Sequence, residues 1–144
     1  MDYKKIGEIF YARIDKDEDV LSNITEICKK ENILAGQFQG IGACGTVTVS
    51  TYLPDIDKFT DHTLSGMLEM VSLIGNVSTD DNDAPVLHSH AVFSYLDETG
   101  KPSVLAGHLT KAIINYTGEI SILPAKETIG RMIDPKTGIS IWKF

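Results

Sequence analysis

Three of the four histidines in this chain, His88, His90 and His108, are spaced so that their ring nitrogens can converge on one ion. The first two lie one residue apart in the apolar run Val86 to Phe93, VLHSHAVF. A β-strand sends alternate side chains to opposite faces, so both rings share one face of such a strand. The third follows the segment Asp97-Glu98-Thr99-Gly100. Asp at the first position and Gly at the fourth suit a type I turn, and a type I turn followed by a left-handed glycine is a common hairpin loop. If Glu98, Thr99 and Gly100 form that loop, Asp97 pairs with Lys101, and counting back from this pair sets His90 opposite His108. The loop length carries the argument, because a loop one residue shorter or longer turns His108 to the other face.

Three imidazoles in one small volume repel one another if protonated, and each needs a partner if buried and neutral. A divalent transition ion resolves both difficulties by taking one neutral nitrogen from each ring. Three protein nitrogens with the fourth position open is the pattern of a catalytic zinc site. Imidazole also suits iron, nickel and copper, so the ring chemistry alone does not choose the metal. For His88 or His90 taken singly, a hydrogen-bonded core histidine is the plainer explanation. The third ring is what displaces it.

The elements that must position these rings follow from periodicity. Gly7 to Ile14 alternates as an opening strand. An acidic stretch with Asp17 or Asp19 as N-cap then starts a helix carrying Val20, Leu21, Ile24, Ile27 and Cys28 on one face, ending near Asn32. The run Ile33 to Leu53 reads as two strands broken at Gly40-Ile41-Gly42, where a bulge or tight bend is expected. A dinucleotide-binding loop is excluded there, since β-branched Thr46 to Val49 follows the glycines where a helix would be needed. Pro54 to Ser65 is polar and reads as a loop holding His62. An apolar segment with Glu69 embedded spans Met67 to Val77, and a turn at Asp80 to Asp83 leads into the strand Val86 to Leu96. Strands at Ser103 to Leu109 and Gly118 to Leu123 follow, then a turn at Asp134 to Gly138. These elements predict an α+β single domain over residues 1–144, compact and mainly antiparallel or barrel-like. One long N-terminal helix and short additional helices are expected in it.

The formal net charge of -7 argues against a general nucleic-acid binder, because phosphate binding needs clustered Lys and Arg. The charged N-terminus has no apolar core of signal-peptide length, no apolar run is long enough to span a bilayer, and two cysteines make no disulfide framework. A cytoplasmic location is the expectation.

Taken in order, Gly40-Ile41-Gly42-Ala43, Glu69, Leu73-x-Gly75-Asn76, Pro85-x-x-His88-x-His90-Ala91, Gly107-His108-Leu109 and Glu119 resemble the PPC domain, the domain shared by plants and prokaryotes. The resemblance runs from about Tyr3 to the end of the chain. It implies a mainly antiparallel α+β fold, a homotrimer, and a divalent metal held by His88, His90 and His108, with zinc first and iron or nickel as alternatives. Family members are often labelled DNA-binding, and the plant members carry AT-hook segments. This chain has no Arg-Gly-Arg-Pro hook and no basic tail, which puts direct DNA binding in doubt. A more distant similarity is to acetolactate decarboxylase, which also places three histidines on zinc. That likeness brings in a metal-dependent lyase or hydrolase. The expected function is a small-molecule enzyme or sensor at the metal, beside the alternatives of a DNA-associated regulator acting as an oligomer and a purely structural metal.

If there is chemistry, the metal polarises a carbonyl or activates water, and a carboxylate moves the proton. Glu69 is the first candidate, because a glutamate inside an apolar strand is costly without a task or a partner. It points outward or pairs with a cation if it has no such task. Glu119 and His62 read as surface residues. Arg131 reads as a surface ion pair or a clamp for a carboxylate.

Overall fold

The computed structural model describes residues 1–144. Asp2–Ile6 (β1) and Ile9–Ile14 (β2) form a hairpin that turns at Gly7, where φ is +61°. Val20–Lys30 (α1) follows, and then Gly36–Leu53 (β3), Lys58–Thr79 (β4), Pro85–Leu96 (β5) and Pro102–Pro124 (β6). Gly130–Ile133 (β7) and Ser140–Lys143 (β8) end the chain. All pairings are antiparallel except the short contact of β4 with β7. β3 pairs with β4, β4 with β5, β5 with β6, and β6 returns to β3, so the central strands close on themselves like a barrel.

The expected long N-terminal helix and short additional helices are corrected by this architecture. The single α-helix has eleven residues and comes after a hairpin, and the other helical piece is one 3-10 turn at Pro54–Ile56. The expected opening strand Gly7 to Ile14 is β2, with the further strand β1 before it, and the strands expected at Ser103 and Gly118 are the two ends of the 23-residue β6. The expected loop Pro54 to Ser65 is mostly strand as well. Its polar residues do not oppose pairing, because cross-strand hydroxyls bond to each other, Thr46 with Ser65 and Thr48 with Thr63. The Gly40–Gly42 break is a register shift within β3, as the glycines suggest, and not the end of a strand.

The core lies between α1 and the inner face of the sheet. Val20, Ile24, Ile27 and Cys28 of the helix pack into one cluster with Phe38, Val47, Leu68, Leu73 and Phe93. Asp19 is the N-cap, and its two carboxylate oxygens do different work. Oδ1 accepts from the Ser22 amide at 2.8 Å, and Oδ2 accepts from the Ala112 amide of β6 at 3.1 Å. The cap therefore also pins the helix to the sheet. Asp19→Ala is expected to cost about 2 kcal/mol, the upper end for a lost N-cap, because a strand amide loses its acceptor too. Urea unfolding followed by circular dichroism measures this, and a loss below about 0.5 kcal/mol would show that water replaces both bonds.

Candidate metal centre

Along β5 the odd residues Ser89, Ala91 and Phe93 are buried, so the even residues His88 and His90 stand on the outer face. Burial of the neighbours thus decides which way the rings point. The loop from Asp97 to Lys101 forms as its sequence predicts. Asp97 N donates to Lys101 O at 2.9 Å, Gly100 N donates back to Asp97 O at 2.9 Å, and Gly100 has φ +78°. Asp97 Oδ1 also accepts from the Thr99 and Lys101 amides, which fixes the loop length. His90 accordingly faces His108 in the β5–β6 register.

Ring centroids in the trio are 5.5 Å apart for His88–His90, 5.2 Å for His88–His108 and 5.4 Å for His90–His108. One ring nitrogen from each lies within 4.8 Å of the others. An ion at a Zn–N distance of about 2.0–2.1 Å needs tetrahedral nitrogens about 3.4 Å apart. Side-chain rotation can supply the difference, so the donor set fits a divalent transition ion. His88 and His108 are half-buried and His90 is exposed.

Burial first, and then the charge of neighbouring rings, holds His88 and His108 below the usual histidine value of 6.5. For His88 the charge of Arg131 adds to this. Both rings therefore stay neutral and able to ligate at neutral pH. The same shift makes the metal-free fold acid-sensitive. Between the lowered folded values and 6.5 the unfolded chain binds more protons than the folded one, so stability is lost as the pH falls through that window. Urea midpoints of metal-free protein are expected to drop between pH 7 and pH 5, and a doubly substituted His88→Asn, His108→Asn protein to drop less. Equal slopes in the two proteins would remove the histidines as the cause.

Around the trio the structure places groups that sequence periodicity does not reveal. Phe59, in the segment expected to be a loop, comes within 6.1 Å of His108 between ring centroids. An open recess of about 660 Å³ adjoins the other side, lined by His88, His90, Asn76, Gln37, Leu123 and Trp142 among others. Gly75 lets the strand pass close over Phe38, since a Cβ there would meet the Phe38 ring at 2.3 Å. The signal for Asn76 is present in the sequence as a polar residue inside an apolar run. Phe59 and Trp142 give no such signal, because their partners lie on distant strands.

The other candidates are scattered. Glu69 is exposed, paired with Ala43 and Ser94, so the burial that made it costly is absent. Ser94 is four residues from His90, which puts Glu69 about 13 Å along the strand from that ring. His62 is exposed opposite Val49, and Glu119 is exposed between Arg13 and Ile41. Arg131 forms no ion pair. It donates to Ser78 Oγ at 2.9 Å, Ser140 Oγ at 2.9 Å and Ser140 O at 3.0 Å, tying the last hairpin to β4.

The fold is shared by known structures. A protein from Bacteroides thetaiotaomicron described as a "putative DNA binding protein" is 33% identical, with TM-score 0.91 over 99% of this chain and 96% of that one. A "metal-containing protein" from Archaeoglobus fulgidus is 28% identical, with TM-score 0.84 over 100% of this chain and 99% of its own. Acetolactate decarboxylase from Bacillus subtilis shares the fold at 12% identity and TM-score 0.56, over 84% of this chain and 54% of the enzyme. A comparison with curated proteins finds no match. No helix is long and apolar enough to cross a membrane. The chain belongs to the family of the Plants and Prokaryotes Conserved (PCC) domain, whose model matches residues 1–126.

Proposed function

We propose that this chain is a cytoplasmic, homotrimeric protein whose His88, His90 and His108 hold a divalent transition ion, zinc before iron or nickel, for work on a small molecule. The observation that carries the reading is the convergence of three ring nitrogens within 4.8 Å beside an open recess. A bound ion there would supply Lewis-acid polarisation or water activation. The residues of the chain contribute neutral donors, an aromatic wall at Phe59 and the recess itself. A metal that only held strands together would more commonly be closed off by four protein ligands. Here His90 is exposed and the recess is open, which favours an enzyme or sensor over a structural ion. A lyase or hydrolase role with Glu69 as proton carrier needs that carboxylate brought to the metal from elsewhere, such as a second copy.

The trimer is supported by an apolar outer face. Ile41, Val71 and Ile74 are each more than half exposed beside a cleft of about 880 Å³. Contiguous exposed apolar surface of this kind favours association. Both cysteines are buried free thiols, which suits a reducing compartment. The test is elemental analysis of purified, metal-loaded protein together with its mass by light scattering. About one ion per chain and three times the chain mass are expected. Wild-type protein with no stoichiometric metal after loading would end the reading.

A second reading, DNA association, is favoured by the description given to the Bacteroides thetaiotaomicron relative. The net charge of -7 opposes it for direct contact. Salt titration of duplex binding is expected to show no measurable affinity near physiological ionic strength. Salt-sensitive binding there would move the DNA reading to first place.

A further inference from the structure

The side-chain oxygen of Asn76 is buried and has no hydrogen-bond partner. Such an atom is expensive to keep, since a buried acceptor without a donor forfeits its hydration and gains nothing. Its position is informative. Asn76 on β4 pairs directly with His88 on β5, so the two side chains leave the sheet on the same face. Directly opposed Cβ atoms lie about 5 Å apart. Both residues line the same recess.

A neutral imidazole that gives one nitrogen to a metal carries its proton on the other, and that N–H becomes a donor in need of an acceptor. For His88 the neighbouring rings cannot meet that need, because His90 and His108 are the other two members of the trio. Asn76 offers an acceptor with nothing else to accept. We propose that Asn76 is the positioning residue of the metal centre. Its Oδ1 accepts the non-ligating ring N–H of His88 when that ring turns onto the ion, which fixes the tautomer and the ring plane. This rests on the metal reading above. It adds a function for a residue that touches no metal, and it explains why an orphaned acceptor is kept in the fold.

The charge state of Asn76 does not change with pH, so it holds the ring without adding a charge. An aspartate there would accept the same bond and make the ligand more basic, while a leucine of similar size would accept nothing. The test uses full-length protein loaded with zinc, with affinity read by competition against a chelator. The ring nitrogens of His88 are read by long-range ¹H–¹⁵N NMR, assigned by comparison with His88→Asn. Asn76→Leu is expected to weaken zinc binding by about ten- to a hundredfold, the usual effect of removing an outer partner of a ligating histidine, and Asn76→Asp to keep or raise it. Zinc-loaded wild type is expected to show one His88 tautomer with a slowly exchanging ring N–H, and Asn76→Leu to lose the slow exchange.

Zinc affinity of Asn76→Leu within threefold of wild type, with the ring N–H unchanged, would overturn the proposal while leaving the metal reading intact. Should Asn76→Leu fail to fold, the wild-type spectrum decides alone: a fast-exchanging or absent His88 N–H in zinc-loaded protein is equally fatal. Failure of wild type to load zinc at all would instead bring down the metal reading, and this proposal with it.

Discussion

His108→Ala is expected to lower metal affinity by more than about a hundredfold and to leave purified protein with well under a tenth of an equivalent of metal. Losing an outer hydrogen-bond partner of a ligand already costs ten- to a hundredfold, and losing the ligand itself costs more. His108 is also the sole contribution of β6, so its removal leaves two donors from one strand, His88 and His90. Two rings one residue apart cannot complete a three-nitrogen site. Elemental analysis checks the content and chelator competition checks the affinity. The fold should survive, because His108 stands on the outer face and adds nothing to the core cluster. Unchanged metal content would show that the ligand set lies elsewhere. A matching loss in His88→Ala with none in His108→Ala would break the link to the hairpin register. The result bears on function directly, since an ion beside the recess that His88 and His90 line needs the His108 nitrogen to complete its three donors.

The second large effect lies in the core. Phe93→Ala is expected to destabilise the fold by about 3–5 kcal/mol, as truncation of a fully buried aromatic does. Phe93 is fully buried and sits three residues after His90 on the same strand, on the opposite face. Its ring anchors β5 to the interior and so holds the histidine-bearing face outward. The cavity left by alanine removes packing from the strand that carries two of the three clustered histidines. Urea unfolding at one fixed protein concentration measures the loss, the fixed concentration being needed because an oligomer gains stability by mass action. A change below about 1 kcal/mol would mean that the core refills the space. Metal binding by the variant under native conditions is expected to weaken less than in His108→Ala, since the ligands themselves remain.

The hairpin that carries the site was legible residue by residue. Asp97 and Gly100 set a loop length, the loop length set a register, and the register set His90 against His108. Each step is local, resting on chain geometry within about twenty residues. The helix was legible for the same reason, because Val20, Ile24, Ile27 and Cys28 repeat at its period and Asp19 caps it. Strand ends were less legible. Pro54 to Ser65 looked like a loop since its residues are polar, yet pairing with β3 makes it strand, and pairing is a property of two segments at once. Glu69 read either as an embedded carboxylate with a task or as a residue pointing outward, and the structure turns it outward. A glutamate in an apolar run carries no mark of which face it takes until the bulges along β4 are known.

By itself, then, the sequence determined the three histidines, their spacing, the turn that brings them together and the acidic net charge. Those follow from short-range stereochemistry and from composition, both present in the chain before it folds. Only the tertiary structure decided that His88 and His90 line an open recess, that Phe59 stands beside His108 on the other side, and that the Asn76 acceptor stands unpaired opposite His88. These features join strands far apart in sequence, and their positions are fixed by how the whole sheet closes around one core.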